Sequence, residues 1–317
     1  MKGATATATD LTTRVKELGH SLADFVGISP AERLKYAPVG HRPSDILPGA
    51  ESVISIGIRM LRGAYLQAKR GDLSGLDVIR AGGIYARFNY NLINLEILDT
   101  AAIQLCRLLE QEGFLALAEI HTGLAAYEDR PGMVPGPWAS ISHRHAAVAS
   151  GLGELGWSGL VINPEVGSKA RYITIITDAK LTPDPMYNGP RLCEPEECGY
   201  RCARICPGEC LSDTEASPCI IGEQEFNIGY MEHLRCIAYS NVLAQRLAGI
   251  ANAQMPDNTR PLDLQLSRKC MKKVTYKAWA KMPYGMSADG GLCLLICPVQ
   301  TPPLVKKIRR QFGGFKR

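Results

Sequence analysis

Apolar positions first recur at helical spacing at Leu11, Val15, Leu18 and Leu22, which predicts an amphipathic helix over 11–23. Ser52 to Ile58 is short and β-branched and follows the turn residues Pro48, Gly49 and Ala50, which predicts a buried strand. A longer helical pattern runs from about Tyr85 through Leu109, carrying Leu92, Leu95, Leu98, Ala101, Leu105 and Leu108, and stops at Gly113. Residues 114–120 resume extended character, and His143 to Ser150 predicts a helix feeding a glycine-rich turn. Residues 160–163 and 171–177 then read as strands paired with each other across Pro164-Glu165-Val166-Gly167.

The pattern changes near Thr182-Pro183-Asp184-Pro185, beyond which short helices and loops hung on cysteines are expected. The reading is an α+β chain of two domains, 1–185 and 186–317, with no internal repeat. Apolar residues make up 46% and charged residues 21%, the usage of a globular protein, and no apolar run is long enough to span a membrane. The first twenty residues show neither a secretory apolar stretch nor a twin-arginine pair, so a cytoplasmic protein is expected. The net charge of +5 is modest and comes partly from a basic run between Lys306 and Arg317, read as a solvated tail.

Cysteine usage changes this picture. Of eleven cysteines, Cys106 stands alone and the other ten lie between Cys193 and Cys297. In a reducing compartment such a concentration points to metal or redox chemistry, because disulfides do not persist there. The run Cys193-x4-Cys198-x3-Cys202-x3-Cys206-Pro207 ends in the C-x3-C-P closing of bacterial two-cluster ferredoxins, with the earlier spacings stretched. Cys293-x3-Cys297-Pro298 repeats that closing. Zinc sites favour C-x2-C pairs or mixed Cys and His, and neither occurs. By the interleaved logic of two-cluster ferredoxins, Cys193, Cys198, Cys202 and Cys297 hold one 4Fe–4S cluster. Cys206 and Cys293 begin the other, to be completed from Cys210, Cys219, Cys236 and Cys270; an intact second motif would place a cysteine where the chain has Gly290.

The block from Ser150 to Gly167, followed by Ala170 to Asp178, resembles the segment preceding the ferredoxin motifs in reductive dehalogenases and epoxyqueuosine reductases. Asp45 to Ile54 looks like the early turn and strand of the latter family, and Cys236 in Leu234 to Tyr239 resembles the isolated cysteine between their two motifs. The resemblance implies a nitroreductase-like α/β sandwich that holds base-off cobalamin, followed by a ferredoxin-like domain carrying two 4Fe–4S clusters. It implies that Cys206, Cys236, Cys270 and Cys293 form the second ligand set. It also implies corrin contacts from His143, Gly151, Gly153, Gly156, Trp157, Asn163, Gly167 and Arg171. The glycines have a physical reading of their own: without a Cβ, backbone approaches a flat ring or a phosphate closely, or makes a tight turn with no ligand. Two positions depart from the epoxyqueuosine reductases: Leu160 stands where they carry a lysine, and Tyr127-Glu128-Asp129-Arg130 shows no match to their upstream aspartate. Their helical tRNA-binding extension has no counterpart in the twenty residues after Cys297.

A reductase of this kind needs a proton donor beside its reducing centre, and a phenol donates while neutral at pH 7. Tyr85, Tyr90 and Tyr127 are the candidates, with Arg87 or Arg130 as the neighbouring charge. His143 and His145, flanking Arg144, are placed on nearly opposite helix faces, against joint metal ligation. The basic stretch from Arg268 to Lys281 suits a ferredoxin or flavodoxin donor, or equally a solvated helix face. The function expected is a reductase acting on a small organic substrate by dehalogenation or deoxygenation, with no membrane and against a nucleic-acid partner. The alternatives are an electron-transfer or corrinoid-reducing protein serving a protein partner, and a tRNA-modifying reductase.

Overall fold

The computed structural model describes residues 8–68, 84–85, 87–119, 140–206, 209–231 and 292–299. Its centre is a four-stranded antiparallel sheet in the order β1-β2-β6-β3, built from β1 (Phe25–Pro30), β2 (Ser52–Arg59), β3 (Ala116–Ala118) and β6 (Ala170–Thr177). β2 and β6 pair with Ile54 opposite Ile175 and Ile56 opposite Ile173. β6 is buried along all eight residues and β2 along its first six, so neither alternates, as befits strands covered on both faces.

Two helical layers provide the cover. α1 (Ala8–Leu22) and α4 (Asp99–Gln111) pack Leu11, Val15, Leu105 and Leu109 onto Ile54, Ile56, Ile173 and Ile175. On the other face, α5 (His143–Ala149) sets Ala146, Ala147, Val148 and Ala149 against Val53, Tyr172 and Ile176. α2 (Pro43–Ile46) and α3 (Arg62–Ala68) flank β2 in the chain. The chain is therefore a mixed helix-and-sheet protein with a three-layer core. Cys106 is core filler on α4, its thiol pushed up to about 11 by burial.

Three expectations change. The helical run before α4 is not uniform: Arg87–Asn91 and Ile93–Leu98 are wide π turns, each with a buried asparagine, Asn89 and Asn94. Asn89 hydrogen-bonds both backbone groups of Leu61, at 2.7 and 3.0 Å. Residues 160–163 do not pair with 171–177; β5 (Val161–Ile162) pairs with β4 (Glu154–Leu155). The physical reason is Asn163, whose Oδ1 accepts the N–H groups of Glu165 and Val166 while its backbone bridges to Gly167, closing the turn locally and freeing β6 for the main sheet. Finally, the region of expected helices and loops contains a long hairpin, β7 (Leu211–Ile221) and β8 (Gln224–Met231), joined by Gly222-Glu223 with Gly222 left-handed. The Thr182–Pro185 stretch is tied down: the Asp184 N–H donates to Ile28 O, and Arg33 donates to Asp184 O.

Candidate functional site

α6 (Pro195–Cys198) and α7 (Arg201–Arg204) are single turns separated by Gly199 and Tyr200, both left-handed at φ 68° and 51°. A non-glycine residue in that region is strained, and here the reversal brings Cys198 and Cys202 to the same wall. They line a cavity of about 340 Å³ together with Cys193 and Cys297, the latter just beyond α8 (Leu292–Ile296). Trp157 and Ile162 close its apolar side. Among the described residues no three His, Cys, Asp or Glu side chains are grouped to hold a metal ion. The four thiols instead surround a volume, which suits a cube of irons and sulfides rather than a single ion. Burial, then the nearby Trp157 N–H acting the other way, sets the Cys193 thiol at about 11. Burial, then the charges of Cys293 and Cys193, pushes Cys202 to about 12. None of the nine described cysteines forms a disulfide.

The glycine block is what these thiol segments dock on. The Trp157 N–H donates to Cys193 Sγ at 3.2 Å, and Glu154 Oε1 accepts the N–H groups of Leu192 and Cys193 at 2.9 and 2.6 Å. A Cβ on Gly156 would lie 3.3 Å from Cys193 Sγ, and one on Gly167, at φ +61°, would lie 2.4 Å from Val299 O beside the second closing motif. Gly153, at φ +147°, faces Ile162 O, and Gly151 faces Pro185 O. Trp157 donates from its indole to Ser212 O and meets Tyr200 edge-to-face. Asn163 donates to Leu152 O besides closing its own turn. Six of the eight residues expected at a corrin are thus engaged by the chain itself. Among the described residues, Gly159 has only Arg144 Nη1 near its Cβ position, at 3.8 Å.

The remaining two meet β6: His143 from the start of α5 and Arg171 from the strand itself. His143 shares a hydrogen bond of 2.8 Å with Thr174 Oγ1. Arg171, buried on β6, donates to Asn89 O and to the Tyr85 hydroxyl and sits over the Tyr90 ring at 5.1 Å. The π turns therefore bring Tyr85 and Tyr90 together around one arginine. That arginine is Arg171; Arg87, expected from the sequence, points away to an exposed ion pair with Glu96. Tyr85 is fully buried beneath Leu294 and Leu295 of α8. Burial raises its pKa and outweighs Arg171, so its phenol keeps its proton.

The spare cysteines separate. Cys219 on β7 is not among the cavity's lining; it meets His145 Nε2 at 3.2 Å, and Ser142 Oγ meets the other ring nitrogen. Cys210 is buried, and its N–H donates to Cys206 Sγ at 3.3 Å across a turn in which Glu209 is left-handed. Tyr127, Arg130, Cys236, Cys270, the basic stretch 268–281 and the basic tail lie outside the described residues. Three residues at the site carry no sequence motif: Glu154, Ser168 and Lys169. Ser168 donates to Leu294 O and Lys169 to Cys297 O, at 2.7 and 2.6 Å. A polar pair set immediately before the apolar run of β6 was the available signal.

No family model and no curated protein matches the chain. Solved structures do. A catabolic reductive dehalogenase, NpRdhA, in complex with 3-bromo-4-hydroxybenzoic acid is 19% identical with a TM-score of 0.51 over 92% of this chain and 38% of that one. A reductive dehalogenase structure described as suggesting a mechanism for B12-dependent dehalogenation gives 19% and 0.51 over 87% and 36%. Epoxyqueuosine reductase from Streptococcus thermophilus gives 18% and 0.46 over 92% and 65%. An epoxyqueuosine reductase holding a tRNA stem loop gives 15% and 0.45 over 97% and 76%. The chain has the fold of the reductive dehalogenases and spans little more than a third of their length. Among the described residues no helix is long and apolar enough to cross a membrane.

Proposed function

We propose that this chain is an iron–sulfur reductase. Cys193, Cys198, Cys202 and Cys297 hold one 4Fe–4S cluster, and Cys206, Cys293, Cys236 and Cys270 hold a second. The observation that carries this reading is the convergence of four thiols from both ends of the cysteine-rich third on one cavity. The donor set fits such a cluster, which supplies one-electron transfer when bound. The Trp157 N–H stabilises negative charge on Cys193 Sγ, and Trp157 and Ile162 keep water from the apolar wall. Tyr85 holds a proton under Arg171 at neutral pH, available to a substrate reduced nearby.

The electron acceptor we assign to the first domain, 1–185, of nitroreductase type, with 186–317 as the ferredoxin-like donor. Likeness to B12-dependent dehalogenases is what supports cobalamin as that acceptor and a small organic substrate as its target. The glycine block does not fit as the cradle of a corrin at Gly151, Gly153 and Gly167, whose Cβ positions lie against the chain's own backbone. No step is therefore routed through a corrin.

Anaerobic protein analysed for iron, sulfide and cobalt is expected to hold about eight irons, two cubanes' worth, and one cobalt beside them would support the cobalamin acceptor. Cys193→Ala loses about half of the iron, whereas Cys219→Ala keeps all of it. Protein without iron, or Cys193→Ala with its full complement, sinks the proposal. Full iron without cobalt selects the second reading, favoured by the closed glycine block: an electron-transfer protein serving a partner.

A further inference from the structure

Lys169 is 5% exposed and immediately precedes β6. Its ammonium donates to Cys297 O, and among the described residues no carboxylate forms an ion pair with it. A buried lysine is ordinarily matched by an anion, since burying the charge alone costs more than one hydrogen bond returns. Capping a helix end does not require that charge: the adjacent Ser168 satisfies Leu294 O with a neutral hydroxyl. Among the described residues, the only ionisable group that acts on Lys169 is the Cys297 thiol, one wall of the cavity that Cys193, Cys198 and Cys202 complete.

We propose that Lys169 is the buried counter-charge of the iron–sulfur cluster held by Cys193, Cys198, Cys202 and Cys297, and that it raises that cluster's reduction potential. The inference rests on the cluster reading above. A thiolate-ligated cluster is anionic and gains a further negative charge on reduction, so a fixed cation within hydrogen-bonding reach of a ligand residue favours the reduced form. Lys169 is a positioning residue in this scheme: it acts through the cluster and touches no substrate.

The test is an EPR-monitored redox titration of the anaerobic holoprotein with Lys169→Met and Lys169→Arg. In Lys169→Met one of two reduction waves is expected to move to a more negative potential while iron content and the other wave stay unchanged; Lys169→Arg returns the wave toward its original position. A Lys169→Met protein with full iron and unmoved waves overturns the proposal, as does an arginine variant that behaves like the methionine one. If Lys169→Met assembles no cluster, Lys169→Gln keeps a donor without the charge. Assembly in the arginine variant alone then supports the counter-charge, and failure in all three assigns Lys169 a role of shape. Wild-type protein with no cluster overturns the reductase reading itself, a result separate from any of these.

Discussion

β6 buries all eight of its residues between two helical layers, whereas α6 and α7, which carry Cys198 and Cys202, bury one residue each, Pro195 and Ala203. The sheet is organised by apolar area, much of it supplied by isoleucines on β2 and β6. The thiol segment has too little of that area, and a single helical turn is far below the length that is stable alone. It is held by hydrogen bonds to the glycine block, from Glu154, Trp157, Ser168 and Lys169, and by whatever its thiols bind. The lesson is that the sheet is a scaffold able to form without a metal, and the thiol segment a passenger whose order depends on docking and loading.

The largest effect is expected where the scaffold itself is cut. Ile175→Ala removes a fully buried side chain from the middle of β6 and should cost ~2–5 kcal/mol in urea unfolding, with cluster absorbance lost in the same transition. Cluster loss well before the sheet unfolds in the unsubstituted protein would confirm the passenger relation; simultaneous loss in every variant would break it.

Gly153→Ala acts on the docking face instead. Its backbone conformation alone costs a side chain ~1–3 kcal/mol, and the added methyl would meet Ile162 O. The sheet should still fold, with unchanged far-ultraviolet dichroism, while iron content falls. Retained iron would show that the block tolerates displacement and that the thiol segment orders itself.

The smallest effect concerns the contact between His145 of α5 and Cys219 of β7. Burial, then Arg144, pushes His145 down to about 4, against its Cys219 partner. Folded protein therefore keeps His145 neutral while the unfolded chain takes up a proton below about pH 6.5. Stability from this residue is complete above that pH and is lost as pH falls toward 4, by at most ~1.4 kcal/mol per pH unit. His145→Asn should flatten the dependence of the urea midpoint between pH 6.5 and 4; an unaltered slope would exclude His145 as its source.

Local sequence made α1, β2 and β6 legible, because a buried helix stripe repeats every three to four residues and a doubly covered strand is a short continuous β-branched run. The hairpin of β7 and β8 was not legible. Its first strand reads Ser-Asp-Thr-Glu-Ala-Ser-Pro after Leu211, polar and interrupted by Pro218, and its turn is pinned from elsewhere by Gly222 N–H donating to Arg33 O. The first thiol set was legible from spacing alone, and the structure brings those four residues to one cavity. The arginine beside Tyr85 was not, since Arg171 and Tyr85 are far apart in sequence and meet only when the π turns cross β6.

The sequence by itself determined where the thiols stand along the chain and that two of their closings carry ferredoxin spacing. It also determined the central strands and the helices that cover them. Only the tertiary structure decided what the glycines approach, which cysteines stand apart, and that a lysine preceding an apolar strand is buried against Cys297. The physical reason is range: hydrophobic period and ligand spacing are properties of neighbours in the chain. Close backbone approach and the burial of a charge, by contrast, are set by segments that meet only in the folded core, as Gly151 meets Pro185 and Lys169 meets Cys297.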